Sequence, residues 1–307
     1  MAASKSLRTL LLKCLLLALL VLVSYGGLLY LTLRSSMDQN DYFLANVDKM
    51  QRLVTTRPPR MIFIGGSNLA FGLDSAAVSK SWGMPVVNMG LSYDLGLKFM
   101  LDHAAPYLRQ GDLVVVVPEY QHFFDKWFWG RMALLRLLFI TDGPFRPLLY
   151  IPSNTWQEAN SFLFNWKPEK YRVRDTKWGY NRHDFNQEGD EIGHLKQPDR
   201  AISFKQPLGV AINHQAISYL ARFIAANNRR GITTLVVYPS LQESYYRANA
   251  VGIQRVAEAL RAGGVPVLGS PQSFVFADNL FFDSIYHLNA AGRQLRTQRL
   301  IRLLHSQ

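Results

Sequence analysis

The chain has a single cysteine in 307 residues, Cys14, so it holds no intrachain disulfide and offers no thiol to a soluble domain. No internal repeat or low-complexity tract is visible, which excludes a solenoid and a disordered chain. Acidic residues are scarce: 22 Asp and Glu stand against 34 Lys and Arg, a formal charge of +12. Nucleic acid is the usual partner for that balance. No zinc knuckle, helix-turn-helix or aromatic RNA-binding signature occurs, so none is expected here. Anionic polymers or phospholipid head groups suit spread basic residues, and ordinary solubility explains them equally well. There is no Walker loop, dinucleotide fingerprint or HExxH. His183, Asp184, Asp190 and His194 match no standard ligand spacing, and the chain is expected to need neither metal nor cofactor.

Charge is missing altogether from residues 14–33, "CLLLALLVLVSYGGLLYLTL". About 20 apolar residues of helix cross a hydrocarbon core of roughly 30 Å, so this run predicts a membrane span. Lys5, Arg8 and Lys13 precede it and only Arg34 follows closely. The positive-inside bias then puts the N-terminus in the cytoplasm and the rest outside the inner membrane, periplasmic or extracellular. A cleaved signal peptide is the rival, but "YLTLRSSMDQN" offers no good small-x-small site, and an uncleaved signal anchor is preferred.

What is present beyond the anchor divides into three. Residues 1–34 form the cytoplasmic tip and anchor, and residues 35–59 read as a polar stalk with a short helix, closed by Pro58 and Pro59. Residues 60–307 alternate β-branched runs ("RMIFIG", "MPVVNMG", "DLVVVVPEY", "ITTLVVYP", "VPVLG") with helical periods at 69–82, 95–108, 214–230 and 245–262. Continuous apolar runs between helices predict a mainly parallel sheet covered on both faces, a doubly wound α/β three-layer sandwich whose site lies at the carboxyl ends of the strands. From about 121 to 199 the alternation stops in a Trp-, Phe-, Arg- and Pro-rich stretch. An insertion of that length is expected to be functional, with most of its aromatics forming a small core of their own.

Ser67 follows the first strand and two glycines and precedes a helix, the setting of a nucleophile on a tight turn and equally of an N-cap serine. "FFDSIYHLNAAGRQLRT" places Asp283 and His287 in one loop before a C-terminal helix, with Asn289 as its cap. A serine nucleophile needs a base, and the base needs an orienting carboxylate.

On these residues the chain resembles the SGNH/GDSL hydrolase superfamily, over residues 60–307. Gly66, Ser67, Asn68 and Leu69 match the block with the nucleophile, "NMGLS" matches the block with an oxyanion glycine at Gly90, and Asp283 and His287 match the last block. Two departures stand out. "DSIYH" has three residues between Asp283 and His287 where the usual block has two, so another group is a candidate to orient His287. The third strand ends in Glu119 and Tyr120 where an oxyanion asparagine is expected, leaving Asn186 as a substitute or simply as a turn residue before Glu188 and Gly189.

A single span before an SGNH-like domain is similar to the D-alanyl-transfer protein of teichoic acid synthesis and to alginate O-acetylation proteins. The resemblance implies an exported serine acyltransferase or esterase acting on acyl groups of a cell-surface or secreted polysaccharide, beside a multi-span membrane-bound O-acyltransferase that supplies the acyl group. In that reading Ser67 attacks, His287 is the base, Asp283 orients it, and N–H groups of Ser67 or Asn68 and Gly90 hold the oxyanion. The alternative is a non-catalytic anchored SGNH-like module that binds polysaccharide or organises a membrane acylation complex.

Overall fold

A computed structural model describes residues 2–35, 40–124, 126–143, 180–202 and 207–306. Five strands, β1 (Met61–Gly65), β2 (Val86–Asn88), β3 (Leu113–Val117), β4 (Thr233–Val237) and β6 (Val267–Leu268), form one all-parallel sheet in the order β2-β1-β3-β4-β6. Helices cover both faces, which is why every residue of β1 is buried rather than every second one. The expected doubly wound α/β sheet is the fold. A second pairing joins β5 (Leu241–Gln242) to β7 (Val275–Phe276), also in parallel.

The chain leaves β1 toward β2 on one side and returns to β3 on the other, so the strand order reverses between β1 and β3. Such a reversal opens a crevice at the carboxyl ends of the two strands, where doubly wound sheets place their sites. Ser67 follows β1 and Glu119 follows β3, one on each lip of the crevice. Gly65, the last residue of β1, has no room for a side chain, because a Cβ there would meet Val117 O at 2.4 Å.

The single helical period expected at 69–82 is two helices, α3 (Ser67–Gly72) and α4 (Ser75–Trp82). Asp74 divides them by capping α4, its carboxylate accepting from Ala77 N at 3.1 Å. The period at 95–108 contains α5 (Leu97–Ala104). The later ones become α7 (His214–Arg229), α8 (Glu243–Ala248) and α9 (Ala250–Ala262), and α10 (Ala290–His305) ends the fold behind its Asn289 cap.

The N-terminal helix α1 (Ala2–Ser35) contains a stretch, Ser6–Leu28, long and apolar enough to cross a membrane by length and composition. Its Tyr30 ring lies 5.5 Å from Phe139 in α6 (Met132–Asp142), a helix of the inserted stretch. Among the described residues of the insertion, Phe123, Phe124, Phe128 and the leucines of α6 join the main core. Residues 144–179, which hold much of the insertion, lie outside the described residues.

The segment read as a stalk is packed into the body through α2 (Ala45–Thr55). Ala45, Lys49 and Leu53 are buried, and the Lys49 ammonium donates to Asn88 O at 3.0 Å and to Gly189 O. Just beyond, the fully buried Arg60 donates to both Asp112 oxygens, at 3.0 and 3.1 Å, and to the carbonyls of Thr56 and Tyr107. A charge removed from water needs such a full set of partners.

Candidate active site

Ser67 occupies the first helical position of α3, and the cap position belongs to Gly66. The serine is therefore not the N-cap that its sequence setting equally allowed. Its side chain lines a cavity of about 320 Å³ together with His287, and aromatic rings from Tyr42, Phe43, Tyr93 and Tyr286 close the sides.

The loop bearing Asp283 and His287 folds back on itself. Phe282 N donates to His287 O at 2.8 Å, His287 N donates to Ser284 O at 3.3 Å, and Phe281 bridges Leu288 antiparallel. Closing the loop between 282 and 287 brings residue 283 beside the imidazole despite the longer spacing. His287 Nδ1 and Asp283 Oδ1 are 2.8 Å apart. With Nδ1–H donating a hydrogen bond to the carboxylate, the imidazole keeps a lone pair on Nε2, the tautomer a base requires.

Three neighbours hold this pair. The Phe71 ring, one turn beyond Ser67 in α3, lies flat on the imidazole at 4.0 Å. Tyr180 Oη donates to Asp283 Oδ2 and sits 3.3 Å from His287 Nδ1. Arg200 Nη1 is 3.9 Å from Asp283 Oδ2. Burial by itself raises the Asp283 carboxyl, but the His287 hydrogen bond and charge, the Tyr180 hydroxyl and Arg200 outweigh it and hold the group below its ordinary value. The Tyr180 hydroxyl is pushed far up, first by burial and then by Asp283.

The expected oxyanion donors are placed differently. Gly90 N donates to Asn88 Oδ1 at 2.9 Å, and Gly90 itself serves close packing, since a Cβ there would meet Leu69 Cβ at 2.4 Å. Asn68 N donates to Glu119 Oε1 at 3.1 Å, and its side chain donates to Val117 O at 3.2 Å. Asn186 is a turn residue: its Oδ1 accepts from Gly189 N at 3.0 Å and Asp190 N at 2.8 Å, and its Nδ2, the group an oxyanion would need, donates to Asp190 Oδ2 at 3.4 Å. Thus Ser67 and His287 line one cleft with Asp283 bonded to His287, while Gly90, Asn68 and Asn186 do not line it and the amides of Gly90 and Asn68 are engaged elsewhere.

The other acidic and histidine candidates of the insertion have structural partners. Asp190 is fully buried and accepts from Ser75 N at 2.8 Å, Asn88 Nδ2 at 2.9 Å and Arg293 Nη2 at 2.9 Å. His194 pairs through Nδ1 with Glu191, while its Nε2 reaches Leu288 O at 3.0 Å, beside the loop bearing Asp283 and His287. Among the described residues no three His, Cys, Asp or Glu side chains converge on a metal position.

Sequence reasoning missed Phe71, Tyr180 and the contacts of Glu119. Phe71 was findable, since it stands four positions after Ser67 and so shares its helix face. Nothing in the sequence near Tyr180 signals Asp283, which lies 103 positions away.

No protein-family model and no curated protein matches the chain. Among solved structures, a protein assigned to the G-D-S-L family of lipolytic proteins, from Desulfitobacterium hafniense DCB-2, aligns with 80% of this chain and 98% of its own at 10% identity and a TM-score of 0.37. A likeness that distant carries no argument about activity, and the fold class stands on the chain's own sheet.

Proposed function

We propose that this protein is a membrane-anchored serine acyltransferase or esterase of SGNH type, acting on acyl groups of a cell-surface or secreted polysaccharide. The observation that carries the reading is the Asp283–His287 bond of 2.8 Å in a cavity that Ser67 also lines.

In the reaction, Ser67 Oγ attacks the acyl carbon as His287 Nε2 takes the hydroxyl proton, and Asp283 stabilises the imidazolium. The donor's leaving oxygen takes that proton from His287, and the acyl group stays on Ser67 as an ester. A glycan hydroxyl then attacks the ester in transfer, or water does in hydrolysis, giving its proton to His287 and releasing Ser67. The Ser67 N–H is the main-chain donor of the turn for the oxyanion, because those of Gly66 and Asn68 are bonded to Glu119.

The anchor reading puts the domain outside the inner membrane. Activated acyl donors are made in the cytoplasm and one span forms no passage, so a multi-span membrane-bound O-acyltransferase is the fitting partner. One observation favours the second reading, a non-catalytic module that binds polysaccharide or organises the complex: the amides expected to form the oxyanion hole have other partners. Labelling of full-length protein in detergent by a fluorophosphonate separates the two. Covalent labelling at Ser67, absent in Ser67→Ala, supports the enzyme. An unlabelled Ser67 in folded protein favours the module.

A further inference from the structure

Helix α3 is six residues long, Ser67–Gly72, yet it carries both Ser67 and the Phe71 ring that stacks on His287. Isolated helices shorter than about 12 to 15 residues are marginal in water, so a helix this short takes its geometry from what holds its ends. Gly66, at the cap position, has no side chain to satisfy the first amides. Both ends are held by charges that arrive from elsewhere in the chain.

At the N-terminal end, Glu119 is fully buried at the carboxyl end of β3. Its Oε2 accepts from Gly66 N at 3.2 Å and its Oε1 from Asn68 N at 3.1 Å, so one carboxylate takes the amides on either side of Ser67. The fit is close, because a Cβ on Gly66 would meet Glu119 Oε1 at 2.4 Å. His122, also buried, lies 3.7 Å from Glu119 through an Nδ1 that has no hydrogen-bond partner among the described residues, and its Nε2 is 3.0 Å from Tyr93 O.

At the C-terminal end, Arg296 of α10 is fully buried and its Nη1 reaches Gly72 O, the last carbonyl of α3, at 3.4 Å. Its Nε and Nη2 have no hydrogen-bond partner among the described residues. Burial pulls this guanidinium down to about 10, and the charges that resist the fall are Asp190 and Glu119. A helix favours an anion at its N-terminus and a cation at its C-terminus, and α3 has one of each, both shielded from solvent.

We propose that Glu119 and Arg296 are positioning residues, which fix α3 from its two ends so that Ser67 faces His287. Neither lines the cavity. Their effect on reactivity rests on the serine-enzyme reading above. The proposal also accounts for a glutamate where an oxyanion asparagine was expected: the group at the end of β3 shapes the nucleophile's turn and leaves the Ser67 N–H as that turn's unengaged donor.

The test measures the second-order rate of fluorophosphonate labelling at Ser67 against pH, at low temperature, on full-length protein whose folded fraction is known. A displacement of about 1 Å can cost on the order of 100-fold in rate, so Glu119→Gln and Arg296→Met are each expected to label about 10- to 100-fold more slowly. The pH midpoint of labelling should not move, and Arg296→Lys, which keeps the charge, should recover most of the rate. Glu119→Asp replaces Glu119→Gln if the latter does not fold. Rates within twofold of wild type, or faster labelling of Glu119→Gln, overturn the proposal. If wild-type Ser67 is not labelled at all, the serine-enzyme reading fails while positioning is still decided by amide hydrogen exchange over 66–72. Faster exchange there in both variants supports it and unchanged exchange overturns it.

Discussion

The imidazole of His287 lies on the ring of Phe71 with centroids 4.0 Å apart and planes 8° from parallel. Because Phe71 and Ser67 share one face of α3, the helix that carries Ser67 also carries the ring stacked on His287. A stacked aromatic contact is worth about 0.5 to 1.5 kcal/mol beyond burial. Phe71→Leu is therefore expected to slow fluorophosphonate labelling of Ser67 roughly 2- to 10-fold, by the same conversion of energy to rate. A rate equal to wild type would show that the stack does not orient His287.

Ser67→Ala and His287→Ala should each abolish glycan acylation in cells while protein level and membrane anchoring stay normal, because attack and proton transfer act as one unit. Asp283→Ala should cost less than either, by about tenfold or more, since the carboxylate only orients and stabilises the base. Surface ester content is the measurement. Normal acylation in cells carrying Ser67→Ala excludes covalent catalysis by this residue.

Tyr180 supplies a hydrogen bond to the depressed carboxyl of Asp283. A group whose folded pKa lies below its unfolded value, about 3.9 for Asp, adds stability above that pH and loses it as pH falls through the folded value. Tyr180→Phe removes one lowering influence, so the contribution becomes smaller. The melting temperatures of wild type and Tyr180→Phe should converge as pH is lowered from 5 toward 3, and a gap that stays constant would count against this account.

Lys49 gives a slope of the same sign in a higher pH window. Burial lowers its ammonium to about 7 against the pull of Asp190, Glu191 and Asp48, so the unfolded chain binds a proton there that the folded protein lacks between pH 7 and 10.5. Stability should therefore rise with pH across that window, by at most about 1.4 kcal/mol per pH unit. Lys49→Met should flatten that part of the urea-unfolding profile measured from pH 7 to 9. An equal slope in both proteins would mean that Lys49 stays charged in the fold.

Topology is open to a direct check. A reporter active only outside the cytoplasm, fused to the C-terminus, should be active, and the protein should remain in the membrane fraction with its N-terminus intact. A soluble form cut near Ser35 would replace the anchor with a cleaved signal peptide.

The sequence by itself determined the layer plan and the principal candidates. Runs such as "RMIFIG" and "DLVVVVPEY" can only be strands buried on both faces, and the helical periods between them require a parallel sheet. Ser67 at the end of the first run, and Asp283 with His287 before the last helix, were legible because their meaning depends on near neighbours in the chain. Tertiary structure alone decided how α3 breaks from α4, that the stalk helix is packed against the body through Lys49, and which amides remain for an oxyanion. It also decided what surrounds the Asp283–His287 pair. Tyr180 and Asp283, Glu119 and Gly66, and Arg296 and Gly72 are pairs separated by 103, 53 and 224 positions. Local propensity and periodicity describe the chain over one or two turns, whereas contacts of that range exist only after the sheet has folded and brought the ends of its strands together.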